Sequence, residues 1–435
     1  MLAHLSKKRL SAITAILLLC IAFSSCGQAA QNTAVPTKKA SQPVNLTPVP
    51  CSQSNCSGIR PFIDTWNNIH LEQIFSYNIN NPADIARYYD FVWGATQDQL
   101  AAFHSGNPNI MLSYYMPFHR DSGTFTNMDL GKSHDLAYWK NLHPDWILYQ
   151  CDRTTPAYED NNPNMPLVFS NPAVVDWQVQ TYAQPASEAG YDAIAADNVN
   201  LENLYGACGY YQNGKWVQRY TGQSDDPQWR ADIVSWATRM QSTLHALKHP
   251  LALIINFGLG STSPNDQYVQ QLIRHTDGIL DEGGFTNYGN RYVTDNNWVQ
   301  LVNLMKEVQS LKKSYYTIDE FSTKSLSHDQ IQWALSSYLM GKEHLATIFM
   351  SAMQQYGSDL RYPEYNANIG TPEGEMYKDQ LVYWRKYSNG LVVVNPSSNS
   401  SYNVQINGSY VDSYGNHIGK NLTLQPHSGM LLLNS

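Results

Sequence analysis

Short apolar runs alternate with stretches of helical period between residues 59 and 350. Eight runs read as strands: "RPFIDTW" (60–66), "DFVWGA" (90–95), "NIMLSYYMPF" (109–118), "YDAIAAD" (191–197), "LALIINFG" (251–258), "DGILDEG" (277–283), "SYYTIDEF" (314–321) and "LATIFMSA" (345–352). Near-continuous apolar runs are what strands buried on both faces look like. Helical periods fill gaps between them, as in "DWQVQTYAQPASEAG" (176–190), "RADIVSWATRMQSTLHAL" (230–247) and "NNWVQLVNLMKEVQSLKK" (296–313). In the last, Trp298, Leu301, Val302, Met305 and Val308 fall on one helix face. Gly190, just before the fourth run, reads as a helix C-cap.

This alternation is that of βα units around a parallel sheet. Eight strands predict an α/β fold, a (β/α)8 TIM barrel, with an elaborate loop over 119–175 after the third strand. A doubly wound open sheet is the alternative, but neither G-x-G-x-x-G nor a P-loop pattern occurs. From about residue 380 the texture changes to two-residue alternation with turn signals, which predicts a small antiparallel β-domain, sandwich-like and packed on the barrel.

The N-terminal residues stand apart from the fold. Lys7, Lys8 and Arg9 precede the apolar run "AITAILLLCIAF", which ends at "SSC". That is the layout of an export signal. Ser24 and Ser25 before Cys26 resemble a bacterial lipoprotein cleavage box, which makes Cys26 the expected acylated residue; a plain secretory signal is the alternative. Residues 27–50 lack hydrophobic period and read as a flexible tether. The organisation expected is thus 1–26 signal peptide, 27–50 tether, 51–375 barrel and 376–435 β-domain, on the outer face of the cell membrane by a lipid anchor, or secreted.

Four cysteines remain beyond the signal: Cys51, Cys56, Cys151 and Cys208. An even number in an exported chain suggests disulfides. Of the three pairings, Cys51 with Cys56 and Cys151 with Cys208 is favoured because the first two are close in sequence. The cysteines lack the paired spacing of a zinc site and no histidine clusters with them. The net charge of −8 and the absence of Lys/Arg clusters speak against nucleic acid as a partner. With 29 Tyr and 11 Trp but only 15% charged residues, the composition suits a groove that stacks on neutral, polar rings such as sugars. It suits a large aromatic core equally well.

On a barrel, active sites form at the C-terminal ends of the strands. Asp192 and Asp277 open their strands and belong to the opposite, stabilising end, whereas Asp197 and Glu282 close theirs. Asp64, Asn256, Asp281, Asp319 and Glu320 end other strands. Paired carboxyls at neighbouring strand ends supply what glycosidic cleavage needs: one protonates the leaving oxygen, the other attacks the sugar or activates water. Taken singly, a strand-end Asp or Asn equally well satisfies loop backbone groups. Asp197 and Glu282 are the candidate catalytic pair. Asp64, Tyr115, His119, Trp146, Asn198, Asn256 and Glu320 are candidate substrate-binding residues. Tyr114 and Tyr115 alternate faces, so at most one reaches the site. Only one of Asp319 and Glu320 faces inward, and Glu320 is an alternative nucleophile.

The segments "DFVWGATQDQLAAFHSGNPNIMLSYY", "DWILYQCD" and "YDAIAADNV" resemble hypothetical glycosyl hydrolases of the (β/α)8 type over roughly residues 59–350. They are similar, more distantly, to the endo-polygalactosaminidase family, whose fourth strand also ends in Asp-Asn. By the further likeness to retaining barrels of the alpha-galactosidase type, Asp197 is implied as nucleophile or base and Glu282 as general acid. The activity expected is hydrolysis of an extracellular polysaccharide with no cofactor and no metal. A catalytically silent carbohydrate-binding barrel is the alternative. A metal-dependent deacetylase or amidohydrolase ranks below both, because the 13 His show no H-x-H spacing.

Overall fold

The computed structural model describes residues 69–125, 133–159, 163–260 and 262–435. Eight parallel strands succeed one another around a sheet: β1 (Glu72–Ile74), β2 (Phe91–Trp93), β3 (Met111–Pro117), β4 (Ala193–Asp197), β5 (Ala252–Asn256), β6 (Gly278–Asp281), β7 (Ser314–Phe321) and β8 (Ala346–Ala352). The sheet closes where Leu71 bridges Ile348 in parallel and the Ile348 N–H donates to the His70 carbonyl at 3.0 Å. Strand order in sequence, with closure, is the TIM barrel and not the doubly wound sheet.

Seven strands fall within the predicted runs. The run 60–66, with Asp64, lies outside the described residues. The first described strand is instead β1, whose Glu72 and Gln73 are fully buried. Two polar residues in a three-residue strand leave no hydrophobic pattern to read.

The predicted helices form as Pro172–Gln178 continuing through a π turn to Ala189, Pro227–His245 and Asp295–Ser310. Gly190 takes the left-handed C-cap conformation at φ 95°. Trp298, Leu301, Val302, Met305 and Val308 are all buried, as their spacing predicts. The strand-opening aspartates act at the foot of the barrel. Asp192 accepts from the Leu112 N–H at 3.0 Å, and Asp277 from the Leu253 N–H at 2.8 Å, so each ties its own strand to the preceding one. Asp277 also accepts from Gln241 and contacts His245 Nε2, both at 2.8 Å.

The long connections after β3 and β4 leave the mouth and pair with each other in a three-stranded sheet of Tyr149–Gln150, Ala207–Gln212 and Lys215–Gln218. The Cys151–Cys208 disulfide joins them, 57 residues apart in sequence. Cys51 and Cys56 lie outside the described residues.

The C-terminal strands are β9 (Tyr377–Asp379), β10 (Val382–Tyr387), β11 (Gly390–Asn395), β12 (Tyr402–Gln405), β13 (Tyr410–Val411), β14 (His417–Ile418), β15 (Asn421–Leu424) and β16 (Ser428–Asn434). Six form an antiparallel sheet in the order β9-β10-β11-β16-β13-β14, and β12 pairs with β15. One face of the larger sheet shares a core with β12 and β15 through Trp384, Val393, Val404, Leu424 and Leu432. Its other face, with Val392, Val394 and Leu431, belongs to the barrel's core. Gly429 permits this approach, since a Cβ there would lie 2.6 Å from Ser336 Cβ on helix His328–Gly341.

Arg385 pins the two units together. Its guanidinium, almost wholly buried, donates to the carbonyls of Leu339 (2.9 Å), Met340 (3.2 Å) and Lys342 (2.7 Å) at the end of that helix, and to Glu343 at 2.7 Å. Helix C-terminal carbonyls have no intrahelical partners, and this one side chain satisfies two of the last four, with that of the following Lys342. Arg385→Ala is expected to destabilise the protein by about 3–5 kcal/mol in denaturant titration, the usual result of stripping one partner from a buried charged pair. An unchanged midpoint would show that the contact is dispensable.

Candidate active site

Side chains along a strand alternate faces, so every second residue points into the barrel. Inside lie Phe91, Met111, Ala193, Ala195, Ala252, Ile254, Leu280, Tyr316, Ile318 and Phe349, a largely apolar plug, with Glu72 accepting from Thr347 at 2.8 Å on the same inward rows. One step further toward the mouth, the same parity sets Tyr115 on β3, Asp197 on β4, Asn256 on β5, Glu282 just past β6 and Glu320 on β7 over that plug. The opposite parity sends Asp281 and Asp319 outward. Asp281 accepts from Tyr315 at 2.9 Å and from the N–H groups of Gly283 (3.1 Å) and Gly284 (3.2 Å); Asp319 accepts from the Phe285 N–H at 2.7 Å. Of each adjacent acidic pair, the second member is the one that faces the mouth.

The carboxylates of Asp197 and Glu282 share one donor group. Asn256 Nδ2 donates to Asp197 Oδ1 at 2.8 Å and to Glu282 Oε2 at 2.9 Å. The other oxygens are also held: Tyr115 Oη donates to Asp197 Oδ2 at 2.6 Å, and Tyr356 Oη to Glu282 Oε1 at 2.8 Å. Burial, and next the Asp197 charge, push Glu282 up to about 7. Burial, and next the Glu282 charge, push Glu320 up to about 7 as well. A carboxyl protonated near neutrality beside a carboxylate is the arrangement that separates acid from nucleophile.

Behind this pair lies a second set of charges. Asn198, in the left-handed region at φ 60°, donates to Asp197 Oδ2 at 3.2 Å and to Glu159 Oε1 at 2.8 Å. Glu159 Oε2 meets Arg120 Nε at 2.8 Å. Arg120 is buried, its charge paired with that of Glu159. Tyr288, half-buried, lies close to Glu282, Asp281 and Asp197, whose charges, after burial itself, hold its hydroxyl well above the usual range.

The structure therefore gathers Asp197, Glu282, Tyr115, Asn198, Asn256 and Glu320 at one mouth, and leaves two of the other candidates away from it. His119 is fully buried, stacked on Tyr205 at 4.6 Å, and burial lowers its pKa well below the ordinary histidine value. Trp146 stacks on His143 at 3.9 Å within the cluster of Trp139, Ile147, Tyr149 and Leu167, so it packs the long loop and offers no open face as a platform. Sequence reasoning did not single out Glu159, Arg120 or Tyr356. Tyr356 lies four residues beyond the end of β8, after a short helical turn, and so outside the strand-end positions that single out Asp197; Glu159 and Arg120 lie in the irregular loop after β3, where no period marks them. Among the described residues no group of three or more His, Cys, Asp or Glu is arranged to hold a metal ion.

A family model described as Hypothetical glycosyl hydrolase family 15 matches residues 104–391. No curated protein matches the chain in sequence. Among solved structures, a maltogenic alpha-amylase from Thermotoga neapolitana is similar with a TM-score of 0.47 and 11% identity, covering 84% of this chain and 98% of that one. A family 39 glycoside hydrolase from Bacteroides cellulosilyticus gives 0.49 and 10%, over 88% and 82% of the two chains. An alpha-amylase from Malbranchea cinnamomea gives 0.44 and 11%, over 85% and 97%. Likenesses at this level bear on neither substrate nor mechanism.

The outward-facing Asp319 gives a test of the electrostatics that leaves the mouth untouched. Burial pushes it up to about 8 from an ordinary value of 3.8. The folded protein thus keeps a proton that the unfolded chain has released, and stability falls as pH rises from about 4 toward 8. Asp319→Asn, which retains the oxygen bonded to Phe285, is expected to gain a few kcal/mol on the wild type between pH 4 and pH 8. Thermal unfolding of both proteins across that range checks it; parallel curves would refute it.

Proposed function

Because the chain belongs to hypothetical glycosyl hydrolase family 15, and on that ground is a glycoside hydrolase, we propose that it cleaves the O-glycosidic bonds of a polysaccharide with retention, Asp197 being the nucleophile and Glu282 the acid/base. The supporting observation is the shared amide. With Asn256 Nδ2 at 2.8 Å from one carboxylate and 2.9 Å from the other, their nearest oxygens lie no further apart than two hydrogen-bond lengths. That agrees with the about 5–5.5 Å of retaining pairs and falls short of the about 6.5–9.5 Å that leaves room for a water in inverting ones.

In the first step an Asp197 oxygen bonds to the anomeric carbon, the glycosidic C–O bond breaks, and the Glu282 proton passes to the departing oxygen. In the second, the Glu282 carboxylate takes a proton from water. The water oxygen bonds to the anomeric carbon and the Asp197 ester opens, which restores both carboxyls. Asn198 and Glu320 are placed to bind hydroxyls of the sugar, and Asn256 holds the two reacting carboxyls in register. Action outside the cell, from a lipid anchor at Cys26 or as a secreted protein, is part of the same proposal. The Cys151–Cys208 disulfide supports it, since such bonds persist in oxidising compartments.

Reducing-sugar release from a polysaccharide panel is expected to fall by roughly 10²–10⁴-fold in Asp197→Asn and Glu282→Gln. Hydrolysis surviving either substitution would reject the pair. Glu282 must be protonated to act as an acid, so kcat/KM is expected to decline as pH rises through about 7. Proton NMR of the first product formed is expected to show the anomer of the substrate; the opposite anomer would mean inversion.

A further inference from the structure

The hydrogen-bonded arc from Tyr115 through Asp197, Asn256 and Glu282 to Tyr356 covers only part of the mouth. Among the described residues, aromatic side chains continue from its Tyr115 end. Phe75, directly after β1, packs edge-on against Tyr115 with ring centroids 5.4 Å apart, and Tyr77 lies beside it at 5.5 Å. On its far side, the Tyr77 hydroxyl comes within 4.0 Å of where a Cβ on Gly357 would stand, next to Tyr356. The aromatic pair thus stands between the two ends of the polar arc, beside Tyr115 on one side and near Gly357 on the other.

The Phe75 ring is held in place by several independent contacts. Its backbone has φ 53°, the left-handed region that a bulky side chain rarely enters. Gln73 Nε2 fixes that turn by donating to the carbonyls of Ile74, Phe75 and Gly357 at 3.0, 3.1 and 3.0 Å, and the Phe75 N–H donates to Trp93 at 2.7 Å. At Gly94 a Cβ would fall 2.6 Å from Phe75 Cδ1, so the missing side chain there makes room for the ring. Such a conformation persists only where its surroundings over-determine it. For all this, the ring is not sealed in the core: Phe75 is half-buried and Tyr77 is 57% exposed.

We propose that Phe75 and Tyr77 form a platform on which a pyranose ring of a glycan stacks beside the scissile bond. The inference rests on the barrel mouth being the active site. A pyranose has an apolar C–H face and a rim of hydroxyls, and this opening offers an aromatic wall opposite a polar one. Pockets of this composition, apolar walls with a few convergent polar groups, are those that orient small ligands.

The test uses the full chain carrying Asp197→Asn, titrated calorimetrically with cellotetraose, maltotetraose, xylotetraose and a galactosamine tetrasaccharide. Adding Tyr77→Ala is expected to weaken binding of the preferred tetrasaccharide by roughly 3- to 10-fold, and Tyr77→Phe, which keeps the ring, to recover most of that loss. Phe75→Leu, which keeps apolar bulk without a ring face, is expected to weaken it in the same range. In the otherwise wild-type chain these changes are expected to raise KM more than they lower kcat. Affinity indifferent to Tyr77→Ala, or no binding of any of the four, overturns the platform. Binding lost with Tyr77→Ala, in a protein whose wild type releases no reducing sugar, would uphold the platform while refuting the catalytic reading.

Discussion

One side-chain amide stands between two carboxyls at the mouth of the barrel, and the rest of the site depends on it. Like charges in a half-buried pocket repel, and the cost rises as water is excluded. The Asn256 amide carries two hydrogens on one nitrogen, so it can bond both carboxyls at once. Tyr115 and Tyr356 then bond the oxygens that point away, which leaves each carboxyl with little freedom to rotate. Burial, and next the repulsion from Asp197, keep Glu282 protonated to about 7, while the Asn256 bond works in the opposite direction. The amide therefore serves orientation, which would not survive its replacement by a group with a single donor.

The barrel makes that arrangement available through its two-residue alternation. The residues that plug the interior and those of the candidate site lie on the same inward rows of the strands. Where the plug stops, the next inward positions of neighbouring strands lie side by side. Arg120 and Glu159 reach Asn198, at the end of β4, from the long loop after β3, so the geometry of one carboxylate is shared between a rigid strand and an irregular segment joined by a disulfide to the loop after β4.

Much of this was legible in the chain. Seven of the barrel strands announce themselves because strands buried on both faces must be apolar throughout. The split between Asp192 and Asp197, and between Asp277 and Glu282, could be read from position alone, since one end of a strand points to the foot and the other to the mouth. β1 could not be read, because it is short and its Glu72 and Gln73 are buried polar residues that mimic a loop. Trp146 misled for a related reason. A tryptophan in a loop can be a platform or a packing residue, and only its neighbours His143 and Trp139 decide. Glu159 left no trace because it comes to Asn198 through loop folding, which has no period.

The aspartates at the foot have a consequence of a different kind. Asp192 and Asp277 each clamp an amide at the start of the preceding strand, its second, which fixes strand register at the end of the barrel remote from the mouth. A one-residue slip would turn every inward side chain outward, so this is where the fold guards against its most damaging error. Because the guard sits at the foot, the loops at the other rim can be lengthened, exchanged or redecorated over evolutionary time without disturbing the alignment beneath them.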